Sequence, residues 1–378
     1  MAGIYVHIPF CKRKCKYCDF VSLAGVHDYS AYAAALISEI RLYKPLVEGR
    51  IFDTIFIGGG TPSLLPIELV CAIVDELRSC FDIVKSPEFT IEANPESLTF
   101  EKLNVYRNLG INRLSIGLQS GDDDVLRAIG RIHDKAAFIN AFDAARAAGF
   151  NNINVDLMHG LPGQSTSSYL DSIRLACKLE CEHISSYSLI LEEHTQLYSD
   201  VINGKITLPD EDTAAEMEDS GFMLMNEFGY MRYEISNFSK PGYECKHNLN
   251  YWDNGEYLGL GLNAHSAMHF SNRWVRWANE ASLSSYIIKA ANGKLPVETT
   301  EEIDRDEEMF ETIMVGLRKT AGISRRSFVE RFGIDPVEHY ASAISEAILD
   351  GFMEVSDDYI RLSNRGLDFQ NEVLLKFM

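Results

Sequence analysis

Short β-branched runs alternate with longer stretches of helical period from residue 1 to about residue 230. That rhythm restricts the chain to a parallel sheet wrapped by helices, because neighbouring parallel strands must be joined by a crossover and the crossover is usually a helix. Strands are expected at residues 4–8, 54–58, 88–93, 113–118, 152–158 and 183–189. Helices are expected at 30–46, 67–81, 100–109, 136–148, 167–179 and 212–227. Six βα units predict a partial, open barrel rather than a closed eight-fold one, with reactive residues on the loops at the carboxyl ends of the strands. Beyond residue 230 the rhythm breaks into Gly- and Asn-rich segments with aromatics, read as a mixed cap over 231–300 that closes the barrel. The stretch 301–378 reads as helices followed by a hairpin at 353–355 and 359–362, a small winged-helix-like module.

The first strand runs directly into Cys11, Cys15 and Cys18, spaced C-x3-C-x2-C. Three thiolates on one loop can hold three irons of a [4Fe-4S] cube and leave the fourth iron free to chelate a small molecule. Spacing alone also leaves zinc and plain thiols open, although no second cysteine pair follows to complete a zinc site. The remaining cysteines, among them Cys71, Cys80, Cys177 and Cys181, stand isolated in apolar segments and read as buried or structural thiols.

A net charge of −20 opposes a nucleic-acid surface. The last module deepens that argument, with nine Lys and Arg against seventeen Asp and Glu, so its fold serves packing or protein contacts. The segment Lys12–Lys16 is locally basic, suited to an anionic cluster and to docking an acidic electron donor such as a flavodoxin or ferredoxin; an ordinary exposed basic loop fits it as well. No apolar run reaches spanning length and no leader precedes the first strand, so a cytoplasmic location is expected, with peripheral membrane contact left open.

Further motifs stand in order along the chain: Tyr5-Val6-His7-Ile8-Pro9-Phe10, Gly58-Gly59-Gly60-Thr61-Pro62, Glu92-Ala93-Asn94-Pro95, Ser115-Ile116-Gly117-Leu118-Gln119-Ser120, Gly130-Arg131-Ile132-His133, Asp156–Gly163 and His247-Asn248-Leu249-Asn250-Tyr251-Trp252. Together with the cysteines they resemble the radical S-adenosylmethionine (SAM) superfamily, in the branch that holds oxygen-independent coproporphyrinogen III oxidase and the HemW-type heme chaperones. The resemblance implies a radical-SAM partial barrel over 1–230, a [4Fe-4S] cluster on Cys11, Cys15 and Cys18, and SAM chelated to the open iron. One electron then breaks a carbon–sulfur bond of the sulfonium.

Within that frame Gly59, Gly60 and Thr61 let the backbone approach the methionine end of SAM, and Glu92 neutralises or hydrogen-bonds the ligand. Gln119, Arg131 and Asp156 match family positions lining the same mouth, and Tyr5 and Tyr17 match positions that contact the cofactor, Tyr17 through its backbone. The H-N-x-x-Y-W segment makes His247 the implied axial heme ligand, with Cys245 and His265 as secondary candidates; by composition alone a histidine among aromatics is a core residue. Two features depart from the oxidase: Asp19-Phe20 stands where that branch carries a fourth cysteine, and few residues precede Tyr5. The expected function is therefore to bind heme and pass it to acceptor hemoproteins, with oxidative decarboxylation of a porphyrinogen as the alternative.

Overall fold

Twelve strands form one sheet in the computed structural model, which describes residues 2–25, 27–271 and 273–378. Six consecutive parallel strands of this sheet come first in the chain: β1 (Ala2–Ile8), β2 (Ile51–Gly59), β3 (Asp82–Ala93), β4 (Arg113–Gln119), β5 (Ile153–His159) and β6 (His183–Ser188). Each is followed by a helix: α1 (Tyr29–Tyr43), α2 (Ile67–Cys80), α3 (Phe100–Asn108), α4 (Lys135–Ala147), α5 (Thr166–Lys178) and α6 (Glu211–Glu227). The helices begin where side chains cap them, with Asp28, Thr99, Asp134, Ser165 and Asp210 accepting from first-turn amides. Helix α1 stops at Tyr43, three residues before the expected end, because Pro45 tightens the next turn into a 3-10 helix over Lys44–Leu46. Short helices at Asp123–Ala128 and Gln196–Ile202 were not anticipated.

The two faces of the parallel sheet differ in chemistry. Ile55, Ile57, Phe89, Ile91, Leu114 and Ile116 are buried in the main apolar core, which the helices cover. The alternate positions carry Thr54, Glu92, Arg113, Ser115, Asn154 and Asp156, so the inner face is polar. Register aligns Gly3, Thr54 and Glu88 across β1–β3, and Glu92 lies four residues further toward the carboxyl ends.

After residue 230 the chain extends both edges of this sheet instead of closing it. Strands β7 (Met231–Arg232) and β8 (Asn237–Ser239) add antiparallel to β6. Helix α7 (Lys246–Trp252) follows, and β9 (Tyr257–Leu260) runs parallel to β1 on its free side. Strands β10 (His265–Phe270), β11 (Arg273–Asn279) and β12 (Val297–Ile303) continue as an antiparallel meander, giving the order β12-β11-β10-β9-β1-β2-β3-β4-β5-β6-β8-β7. The glycines and asparagines that read as loop turn the chain between β9 and β10: Gly261 has φ +104° and Asn263 φ +53°.

The carboxyl-terminal module has its own apolar cluster, including Ile313, Leu317, Phe328, Ile344 and Ile360. Its three-stranded sheet contains the hairpin strands Met353–Val355 and Tyr359–Leu362 at the expected residues. Polar contacts join it to the large sheet, with Glu308 between His269 of β10 and Arg331.

Hydrogen bonds from the His269 ring to the Glu256 and Glu308 carboxylates push its pKa up to about 9 from an ordinary 6.5. A raised histidine stabilises the folded chain fully below about pH 6.5 and loses that contribution as pH climbs through 9. His269→Gln should therefore lower the melting temperature at pH 6 and converge on wild type by pH 10. The gap should be on the order of 1 kcal/mol, because the imidazole is partly exposed and screened. Melting curves across that range, monitored by circular dichroism, test this.

Candidate functional site

The cluster loop leaves the sheet from β1, a strand paired on both sides. Phe10–Cys11 forms a two-residue strand against Leu23–Ala24, which ties the loop into a closed excursion. The glycine loop after β2 is locked onto it: Gly60 N donates to Ile8 O at 2.8 Å and Thr61 N to Phe10 O at 2.8 Å. A Cβ on Gly60 would lie 2.7 Å from Phe10 O and 3.0 Å from the Cys11 sulfur, so only glycine allows this approach. At Gly59, φ is +113° and a Cβ would enter the His7 ring.

Cys11 is buried; Cys15 and Cys18 are partly exposed, and all eight cysteines are free thiols. Thr61 Oγ1 donates to Cys11 Sγ at 3.6 Å and Arg131 Nη1 to Cys15 Sγ at 3.5 Å. Burial raises the pKa of Cys11 and Cys18, and the charge of neighbouring cysteines raises both further. Among the described residues no three His, Cys, Asp or Glu side chains converge on a single ion. A cube takes one thiolate per iron, and three thiols on one loop match three irons. The donor set thus fits the cube.

A polar chain links this loop to the next strand ends. Asn94 Nδ2 donates to Thr61 Oγ1 at 2.9 Å, and Arg131 Nη2 donates to Asn94 Oδ1 at 2.6 Å and to Gly117 O at 3.1 Å. Gly117 leaves the room that Arg131 and Gln119 share, since a Cβ there would lie 2.8 Å from Gln119 Nε2 and 3.0 Å from Arg131 Nη2. Gln119 has φ +62°, and its buried Oε1 has no hydrogen-bond partner among the described residues, so it has an acceptor to offer a ligand. Asn94 was not singled out from the sequence, although it shares a strand end with Glu92.

Glu92 Oε2 accepts from Gly59 N at 2.9 Å. Burial, followed by the charge of Asp156, pushes its pKa up to about 8, against the pull of that amide. Asp156 accepts from Asn154 Nδ2 at 2.7 Å and from Ser115 Oγ at 3.1 Å, and burial raises its pKa too. Gly59, Gly60, Thr61, Glu92, Gln119, Arg131 and Asp156 thus line the carboxyl-terminal mouth of the parallel strands. Tyr17 packs nearby against the cluster of Val125, Leu126, Ile129, Met158 and Leu161.

Burial raises the pKa of Tyr5 and the charge of Glu92, within reach, raises it further, whereas His247 lies elsewhere. Tyr5 donates to or accepts from His7 Nδ1 at 3.0 Å and faces a cavity of about 260 Å³ shared with Phe20, Val21, Tyr251, Tyr257 and His265. His247, on α7, is 2% exposed and stacks on Phe56 at 5.3 Å. Its Nδ1 is 2.8 Å from Thr54 Oγ1 and its Nε2 3.1 Å from Tyr251 OH. The imidazole expected to be free for iron is therefore engaged at both nitrogens. Burial, with Arg113 nearby, lowers its pKa to about 3 and keeps it neutral. Cys245 is also buried, its sulfur 3.5 Å from Glu88 Oε1, while the Glu88 carboxylate accepts from the Lys246 and His247 amides at 3.0 Å each and so caps α7.

A profile of the Radical SAM superfamily matches residues 5–176, and one of the HemN C-terminal domain matches residues 303–369. Fold and site thus define a radical SAM protein, a class that implies SAM and a [4Fe-4S] cluster. The chain is 37% identical to a protein of Bacillus subtilis named heme chaperone HemW, over 100% of this chain and 99% of the relative. It is 34% identical to the Escherichia coli protein of the same name, over 100% and 98% of the two chains. The chain belongs to the HemW family. Its fold also matches coproporphyrinogen III oxidase (HemN) from Escherichia coli, with a TM-score of 0.85 at 22% identity over 100% of this chain and 89% of the other.

An acid whose folded pKa lies above its unfolded value destabilises the fold as pH rises between the two, here from about 4.5 to about 8. Glu92→Gln should therefore raise the melting temperature of the cofactor-free protein at pH 8.5 and leave it nearly unchanged at pH 4.5. The same substitution should weaken SAM binding to the reconstituted protein at least tenfold, measured by calorimetry.

Proposed function

We propose that the chain is a heme chaperone that carries a [4Fe-4S] cluster on Cys11, Cys15 and Cys18, binds SAM beside it, and hands heme to acceptor hemoproteins. The observation that carries this reading is the full-length identity to proteins named heme chaperone HemW, at 37% and 34% with no part of the chain unmatched. The likeness to the oxidase speaks for the shared scaffold. The loop supports the distinction, because Phe20 stands where an additional thiol is expected in the oxidase branch.

In this reading the cluster supplies one electron to the SAM sulfonium when both are bound. Gly59 and Gly60 admit the methionine end to the backbone, Glu92 faces its positive charge, and Arg131 steadies Cys15 while holding Asn94 against Thr61. Lys12 and Arg13 remain exposed for an acidic electron donor, whereas Lys14 donates to Phe20 O at 3.3 Å and Lys16 pairs with Asp200 at 3.9 Å. Among the described residues no helix is long and apolar enough to cross a membrane.

Anaerobic reconstitution of wild type should yield about four irons and four sulfides per chain by the cube stoichiometry. Cys11→Ala, Cys15→Ala and Cys18→Ala should each abolish it. Wild type loaded with heme should transfer it to an apo-hemoprotein, read by the acceptor's Soret band. It should form no protoporphyrinogen from coproporphyrinogen III with SAM and reductant. Protoporphyrinogen formation without saturable heme binding would replace the chaperone with the oxidase.

A further inference from the structure

Three imidazoles stand near or behind the cavity beside β1, and they differ in what their nitrogens do. His7 is tied at Nδ1 to Tyr5 and at Nε2 to Val21 O, 2.9 Å away. His247 is tied to Thr54 and Tyr251 and lies buried behind Tyr251. His265 is exposed, lines the cavity, and forms no side-chain hydrogen bond among the described residues. An axial ligand needs a nitrogen lone pair that can reach iron, and His265 has one available without breaking any contact.

We propose that His265 is the residue that ligates heme iron in this chain, with the porphyrin entering the cavity between Tyr5, Phe20, Val21, Tyr251 and Tyr257; the proposal rests on the chaperone reading above. The position of His265 is fixed by the sheet. It opens β10 opposite Ala278 of β11, and its carbonyl crosses so close to Gly259 of β9 that a Cβ there would overlap it. Ser266 Oγ accepts from Gly259 N at 2.8 Å and pins the next residue. Partial desolvation beside the cavity wall and the nearby Arg276 charge lower the pKa of His265, so the ring is neutral and its lone pair free at neutral pH.

The cavity walls suit a flat aromatic ring. Tyr251 and Tyr257 meet edge to face at 4.6 Å, and Phe20 stands 71% exposed at the rim. At about 260 Å³ the cavity is smaller than the ~300–1,000 Å³ pockets that bury a drug-sized ligand, so a porphyrin would project from it. A cargo that must leave for an acceptor is well served by such partial burial. His247 then acts as a positioning residue, holding the Tyr251 hydroxyl from behind.

The test uses the full chain with its cluster reconstituted, titrated with hemin and followed by Soret absorbance and electron paramagnetic resonance of the ferric heme. His265→Ala should weaken binding at least tenfold and lose the histidine-ligated spectrum. Cluster iron and sulfide and the melting temperature should be unchanged. His265→Gly should behave alike and recover the wild-type spectrum when imidazole is added. His247→Ala should lower the melting temperature along with any change in heme binding. Wild-type spectrum and affinity in His265→Ala would overturn the assignment, as would loss of ligation in His247→Ala at an unchanged melting temperature. Absence of saturable heme binding by wild type would overturn the chaperone reading and this assignment with it, whereas saturable wild-type binding with undiminished affinity and ligation in His265→Ala would overturn the assignment alone.

Discussion

A polar inner face on an otherwise apolar sheet is the constraint from which the rest follows. Side chains on that face are shielded from bulk water, so each donor and acceptor needs a partner within the protein or a ligand, at a cost of about 1–3 kcal/mol for each one left unpaired. The chain meets most of this with a connected network, although Thr90 Oγ1 and Arg113 Nε are buried without partners among the described residues. From Asp156 it runs through Asn154 to His183 at 2.6 Å, and from His183 to the Tyr233 hydroxyl at 2.8 Å, which accepts from Cys245 N at 3.2 Å. Glu88 and His247 carry it back across β3 and β2 to Thr54, with Tyr251 at the end. Helix α7 is thus a plug that satisfies the inner face at the row of Gly3, Thr54 and Glu88. A Cβ at Gly3 would come within 3.0 Å of the His247 ring, so the plug seats only because β1 has no side chain there.

At the opposite ends of the same strands the polar groups are left facing an opening, and there the network is incomplete. Gln119 Oε1 and Arg131 Nε are buried without partners among the described residues, and burial and Asp156 favour the protonated, neutral form of Glu92 over its ordinary ionised one. A cationic ligand with hydroxyl and carboxylate groups answers all three at once. The cluster loop adds its sulfurs to this mouth through backbone bonds to the glycine loop, so the two loops form one body rather than two flexible excursions.

Much of this was readable in the sequence because period and punctuation carried it. The six parallel strands showed as β-branched runs, their loops fell where glycines and cysteines stood, and the three cysteines stood out by their spacing. The meander β9–β12 was hidden because Gly259 and Gly261 look like loop residues, and because β12 is a charged, largely exposed edge, Val297–Ile303. The surroundings of His247 were hidden for a different reason. Its motif shows an imidazole among aromatics, but only the fold reveals that both nitrogens are occupied and that the helix faces inward. Phe20 entered the reading as a missing thiol; its place at the rim of a cavity depends on the closure of the loop by Leu23–Ala24, a two-residue pairing without a sequence signal.

The pairing of β1 has a consequence for how the chain is made. Its neighbour β2 begins at Ile51, but its other neighbour, β9, begins at Tyr257, with every βα unit of the sheet in between. Loop closure over so long a stretch is entropically unfavourable and slow, and domains that rely on such contacts fold late relative to synthesis. The strand that launches the metal-binding loop therefore acquires its second edge only after about two-thirds of the chain has left the ribosome. Until then the loop of Cys11, Cys15 and Cys18 hangs from a strand with one paired edge, and its geometry is complete only when the sheet is.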